Sequence, residues 1–123
     1  MGYRSEVALV MPYGDWLELK YQARQILKDK ENCPYETSIF EVVSEETKFE
    51  NPEAHCDWVL VRWEQIKWYA ISPDVSIVHD HVTNSRGPHE FIRVGEDAGD
   101  IESHSLDGWM EYLSTKTEIA FSI

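Results

Sequence analysis

Basic side chains, cysteines and long apolar runs are all scarce in this chain of 123 residues. Only 11 lysines and arginines accompany 23 acidic side chains, which gives a formal net charge of −12. A surface of this charge repels nucleic acid and anionic lipid, so we expect direct binding to neither. No apolar run approaches the roughly 20 residues that cross a bilayer, and we expect no membrane association.

The two cysteines, Cys33 and Cys56, are too few for a disulfide framework. The opening Tyr3-Arg4-Ser5-Glu6 is polar at the place where a signal peptide needs an apolar segment. The length and the ordinary hydrophobic content of 42% suit one folded domain. We therefore expect a single domain over residues 1–123 in a reducing cytoplasm.

The stretch around which the chain is organised runs from Cys56 to Tyr69, with the sequence CDWVLVRWEQIKWY. Its run of β-branched and aromatic residues predicts a central strand with large apolar groups on both faces. Trp63, Trp68 and Tyr69 bring three large rings together at its end. Rings beside a strand usually pack in the core, and the alternative is a recognition surface for a partner.

The remaining elements follow from apolar spacing and from helix and turn signals. The pattern predicts strands at 3–11, 38–44 and 89–95, and helices at 15–29 and 72–84, with a polar loop at 45–55. The order β-α-β-β-α-β is that of a ferredoxin-like split βαβ sandwich, an α+β fold with both helices on one face. The tail, residues 100–123, offers two further strands, 101–105 and 118–123, that extend the sheet or cover its open face.

Potential metal ligands are present but lack recognised spacing. No CxxC or HExxH pattern occurs. His79 and His81 lie two residues apart on a predicted helix and therefore point about 200° apart. Neither cysteine lies in a nucleophile motif, and a buried free cysteine such as we expect at Cys56 behaves as a small hydrophobe. The sequence predicts no metal site, no cofactor and no catalytic residue.

An acidic loop bounded by glycines follows the last predicted strand of the sandwich. It contains Glu96, Asp97 and Asp100. Oxygen-rich loops bind Ca²⁺ or Mg²⁺, but this one lacks the twelve-residue EF-hand pattern. A solvated turn and a contact surface for a basic partner are the other interpretations.

Three segments of the sequence are distinctive in combination: the opening MGYRSEV at 1–7, the WEQIKWY at 63–69 and the FIRVGED at 91–97. Together, in this order, they resemble a group of small acidic proteins of bacteriophages and prophages. The resemblance covers roughly residues 1–102 and implies no assigned activity. It does imply a phage-encoded accessory protein in the cytoplasm of the host bacterium, of the kind that disables a host or defence protein.

The favoured hypothesis is a non-enzymatic protein-binding module that inhibits a host or anti-phage defence protein. The residues predicted to contact the partner are Trp63, Trp68, Tyr69, Glu96, Asp97 and Asp100. One alternative is an acidic DNA mimic that occupies a DNA-binding host protein. Another is a small enzyme that uses carboxylates such as Glu64 or Asp97 as acid–base groups. A bare sheet face would also suit a homodimer.

Overall fold

A computed structural model describes residues 4–28, 39–51, 56–69, 73–84, 88–97, 99–105, 113–115 and 119–121. The elements in chain order are β1 (Ser5–Pro12), α1 (Tyr13–Lys28), a 3-10 turn (Ile39–Glu41), β2 (Glu45–Asn51), β3 (Cys56–Ile66), α2 (Pro73–Thr83), β4 (Glu90–Gly95), β5 (Ile101–Ser105), β6 (Leu113–Thr115) and β7 (Ile119–Phe121). Strands β1 to β5 form one antiparallel sheet in the order β2-β3-β1-β4-β5, and β6 pairs with β7. The α+β class is therefore confirmed.

Strand β1 lies in the middle of the sheet because both of its faces are apolar. Val7, Leu9 and Met11 alternate with Ala8 and Val10, and all five side chains are buried. Its neighbours β3 and β4 both pair with it in antiparallel register. The prediction that the Cys56–Tyr69 stretch supplies an interior strand is confirmed, since β3 pairs with β1 on one side and β2 on the other.

The helix-bearing face of the sheet is an aromatic core. Trp16 of α1 lies 6.0 Å from the ring of Trp63, which lies 5.1 Å from Trp68. Trp68 in turn lies 6.0 Å from Phe91 of β4. Both helices contribute to the same cluster of buried residues, so both cover this one face.

The opposite face is covered by the C-terminal hairpin. Leu113 of β6 joins a second buried cluster with Ala8, Val10, Leu60 and Ile92. Strand β6 contacts β4, and β7 contacts β1. The tail therefore extends the sheet, through β5, and also packs against its second face, through β6 and β7. The homodimer stays a prediction.

The second predicted strand is misplaced. Ile39 to Glu41, inside the predicted strand 38–44, form a 3-10 turn, and the strand instead occupies Glu45–Asn51, where a loop was expected. The first residue of the turn is held through both of its backbone groups: the Ile39 amide donates to Asp74 at 2.9 Å, and the Ile39 carbonyl accepts from the Trp63 indole at 2.7 Å. The true β2 is charged and exposed, so it lacks the apolar alternation by which strands are recognised.

The other elements differ from expectation mainly in their ends. Helix α1 begins at Tyr13, two residues before the predicted start, and α2 spans Pro73–Thr83. The fifth strand of the sheet, β5, occupies Ile101–Ser105, where the tail was expected to extend the sheet. Neither helix described by the structure has the length and apolar character that crossing a bilayer requires. Cys56 is exposed rather than buried, and Cys33 lies outside the described residues.

Candidate functional site: a cleft at one end of the sheet

A cleft of about 500 Å³ opens where β1 begins and where β3 and β4 end. The described residues that line it are Arg4, Ser5, Glu6, Gln65, Val94, Gly95 and Glu96. They come together because antiparallel pairing places Ser5 opposite both Ile66 and Gly95. The volume lies in the range of about 300–1,000 Å³ that ligand-binding clefts occupy.

A bulge in β3 shapes one wall of this cleft. The pairing advances two residues on β1, from Ser5 to Val7, while it advances three on β3, from Ile66 to Trp63. Gln65 adopts a φ of 49°, in the left-handed region that non-glycine residues rarely enter. Such bulges bend a strand and frequently lie next to functional sites. The bend turns the Gln65 backbone towards the cleft, where its carbonyl accepts a hydrogen bond from Arg4 Nη1 at 2.9 Å.

Arg4 ties the three strand ends together. Its backbone amide donates to Glu96 Oε1 at 2.8 Å, and its guanidinium reaches β3 at Gln65. The cleft thus has one guanidinium and the carboxylates of Glu6 and Glu96 along its walls. Glu64 and Asp97, the chain neighbours of Gln65 and Glu96, are also acidic and exposed.

The acidic loop is anchored from beneath by Arg93. The Arg93 guanidinium donates to both oxygens of Asp100, at 2.8 and 3.2 Å, and to the hydroxyl of Ser5 at 3.1 Å. This pairing is the leading cause of the raised Arg93 pKa, against the effect of burial. The pairing of Arg93 with both Asp100 oxygens shows that Asp100 supports the loop. The Asp100 side chain is still 35% exposed, so its assignment to the contact surface stays a prediction.

The predicted contact residues divide into buried and accessible ones. Trp63 and Trp68 are only 1% and 7% exposed and belong to the core, so they offer no surface to a partner. Packing was the right interpretation of these two rings. Tyr69, Glu96 and Asp97 are exposed. Glu96 lines the cleft and Asp97 follows it in the chain, and the assignment of all three as contact residues stays a prediction.

A second cluster lies on the helix-bearing face beside Arg93. Glu102 and His104, two residues apart on β5, point to the same side of the strand, where α2 contributes His79. Glu102 Oε2 lies 2.7 Å from His104 Nε2 and 3.3 Å from His79 Nε2. The other carboxylate oxygen lies 3.3 Å from Arg93 Nε. The three ligand-type atoms lie within 4.8 Å of one another, which is the arrangement that can hold a metal ion.

The environment of Glu102 favours its charged form. Burial by itself would raise the pKa of Glu102, but hydrogen bonds from His104 and Arg93 and the nearby charge of both imidazoles outweigh it. The pKa of Glu102 therefore lies below its ordinary value. The group is an anion over the physiological range, held between three nitrogen-bearing side chains.

Sequence spacing does not reveal this cluster. His79 and His81 do point apart, as expected, and His81 is buried with its ring 6.0 Å from that of His89. The expectation of no metal site rested on local motifs, whereas the residues that meet His79 come from a strand far from it in the sequence, in the C-terminal tail. The pairing of β5 with β4 brings them together. An alternation of Glu102 and His104 on one strand face was the only local signal.

Comparisons of the chain with models of protein families, with curated proteins and with solved structures find no significant match. The likeness of its three segments to phage proteins therefore stays a prediction, and function must be argued from the cleft and the cluster themselves.

Proposed function

We propose that this protein is a non-enzymatic binding module that holds a lysine- or arginine-bearing segment of another protein in the cleft. The observation that carries the proposal is that three segments distant in the sequence meet at the cleft. Every described residue that lines the cleft belongs to one of the three segments 1–7, 63–69 and 91–97. Segments that are far apart in the chain thus build one concave surface at the end of the sheet.

The charge of the molecule suits a cationic partner. With a net charge of −12, the protein attracts basic surfaces from a distance and repels acidic ones. At the cleft, the carboxylates of Glu6 and Glu96 supply acceptors for ammonium or guanidinium groups. The Arg4 guanidinium donates to the Gln65 carbonyl, so part of its hydrogen-bonding capacity is used within the wall of the cleft.

The setting of this activity is inferred from the phage-like segments. On that likeness we propose an accessory protein of a phage, acting in the cytoplasm of its bacterial host on a host or defence protein. For the fold we propose a ferredoxin-like sandwich with a C-terminal extension. The support for this fold is the strand order β2-β3-β1-β4, to which β5 adds one edge strand, together with the position of both helices on one face of the sheet.

The test compares capture of host proteins by three forms of the chain. The cleft variant carries Glu6→Gln and Glu96→Gln, which remove two charges and keep the side-chain length. The matched control carries Glu50→Gln and Asp57→Asn, which remove two charges at the opposite end of β3. We expect wild type and control to retain the same partner, identified by mass spectrometry, and the cleft variant to lose it.

Equal loss of the partner in both variants would show that overall charge alone drives capture, and equal retention would remove the cleft from the account. Addition of duplex DNA to the capture experiment distinguishes the DNA-mimic alternative from binding of a cationic segment. A partner that DNA displaces, with capture falling steeply as salt rises, would favour mimicry over recognition of a segment.

A further inference from the structure

We propose that His79, Glu102 and His104 bind a divalent transition-metal ion of the zinc or ferrous-iron type. This inference does not depend on the proposed function, because none of the three residues lines the cleft. It rests on the side-chain geometry of α2 and β5.

The spacing of the ligand atoms matches a small coordination sphere. An ion with bonds of about 2.0–2.1 Å in tetrahedral geometry places neighbouring ligand atoms roughly 3.3 Å apart. The Glu102 Oε2 atom lies 2.7 Å from one imidazole nitrogen and 3.3 Å from the other. All three ligand atoms lie within 4.8 Å of one another, so rotations of the side chains can direct them at one ion.

The donor set selects the class of metal. Two imidazoles and one carboxylate are the ligands of hydrolytic zinc sites and of the ferrous facial triad. Calcium and magnesium prefer sites built from oxygen, so two nitrogens disfavour them. Three protein ligands also leave at least one coordination position for water or another small molecule. The side chains of His79, Glu102 and His104 are 35%, 29% and 29% exposed, so solvent reaches the site.

The surroundings hold the ligands in place before any ion arrives. Arg93 Nε lies 3.3 Å from Glu102 Oε1, which leaves Oε2 directed at the imidazoles. The His104 ring lies 5.8 Å from the ring of buried Phe91. The His79 ring packs edge-on against the His104 ring, with 6.1 Å between the ring centres. An outer-shell partner that orients a ligand typically contributes a factor of 10–100 in metal affinity. Arg93 fills that position here.

The same contacts could instead be a set of hydrogen bonds and ion pairs that only join α2 to β5. The two explanations differ in what happens when metal is added. Contacts that only join α2 to β5 have no saturable affinity for Zn²⁺ beyond that of scattered surface carboxylates. A metal site binds one equivalent of Zn²⁺ and loses it when either histidine is replaced.

The experiment uses the full chain after treatment with a chelator, titrated with ZnCl₂ by calorimetry. We expect one equivalent to bind to the wild type. His79→Gln and His104→Gln should each weaken binding by more than the roughly 10–100-fold expected for Arg93→Gln. The matched control is Ser103→Ala, on β5 between the two ligands and exposed, which should bind as the wild type does. Thermal unfolding of each metal-free variant confirms that it is folded.

A wild type that takes up no stoichiometric Zn²⁺ would overturn the proposal, as would unchanged binding by both histidine variants. A second measurement on the wild type alone keeps the test independent of variant folding. Paramagnetic Co²⁺ should broaden the amide resonances of α2 and β5 before any others at one equivalent. Broadening that begins instead along β2, where exposed glutamates are concentrated, would equally rule the site out.

Discussion

The two edge strands of the sheet, β2 and β5, both come from acidic stretches of sequence and use their charge differently. Strand β2 carries Glu45, Glu46 and Glu50, and most of its side chains are exposed. Strand β5 carries one acidic residue, Glu102, which is half-buried and contacts Arg93 and two histidines. Acidic side chains therefore form a solvated edge on one side of the sheet and part of a structured polar cluster on the other.

The difference comes from what lies across each edge. Helix α1 offers β2 one ion pair, from Lys20 to Glu46 at 3.0 Å, and the indole of Trp16 as a donor. At the β5 edge, Arg93 on the neighbouring strand binds two carboxylates. Charge on an edge strand commonly serves to block pairing with other chains, and β2 fits that role. The sign of the charge thus says less about function than the cations and imidazoles that surround it.

The largest effect should follow from removing the cation at the β5 edge. Arg93→Gln takes a charged donor away from Asp100, Glu102 and Ser5. Since hydrogen bonds to charged groups contribute about 1.5–3 kcal/mol, we expect the free energy of unfolding in urea to fall by about 2–3 kcal/mol. Lys20→Gln, which breaks the pair at the β2 edge, should cost under about 1 kcal/mol. Equal losses in the two variants would remove the contrast between the edges.

A smaller effect, of opposite sign, should come from the far end of β2. Glu50 lies directly opposite Asp57 of β3, and both are exposed. Like charges that face each other across two strands are destabilising, so Glu50→Lys should raise the free energy of unfolding by about 0.2–1 kcal/mol. Glu50→Gln should give part of that gain. Because the effect is electrostatic, it should shrink in about 1 M salt; a gain that persists there would contradict the explanation.

The smallest expected effect is on the pH dependence of stability at Glu46. Burial by itself would raise the pKa of Glu46, but hydrogen bonds from Trp16 and Lys20 and the charge of Lys20 outweigh it, so the pKa lies below 4.5. A carboxyl with a lowered folded-state pKa stabilises fully above its unfolded value and loses that contribution as the pH falls through the folded value. Glu46→Gln should therefore flatten the fall in melting temperature between about pH 6 and pH 3. An unchanged slope would show that Glu46 is not stabilised in the folded protein.

Elements with apolar periodicity were predictable from the sequence, and elements held by partners were not. The alternation in β1 and the helical spacing of Trp16, Leu19 and Ala23 both correspond to buried side chains. Strand β2 could not be recognised in the same way, because a charged edge strand owes its conformation to its ladder with β3. Ile39 joins the core through a 3-10 turn instead of a strand, since Trp63 and Asp74 take up its backbone groups.

The candidate sites were predictable only in part, for the same physical reason. Glu96 and Asp97 were identified because their loop is continuous in sequence, and the cleft lies beside them. The role of Gln65 depends on a bulge, and that of Glu102 on the packing of α2 against β5, neither of which has a local sequence signal. Trp63 and Trp68 were misassigned to a partner surface because composition does not tell which aromatic side chains the helices cover.

The central claim is that cationic protein segments bind at the cleft and not along the charged β2 edge. The most direct test is an NMR titration of the ¹⁵N-labelled protein with a short lysine-rich peptide, following the backbone amide resonances. We predict saturable shifts confined to Arg4 to Glu6, Gln65 and Val94 to Glu96. Shifts that spread over Glu45 to Glu50 instead, or that fail to saturate anywhere, would contradict the account.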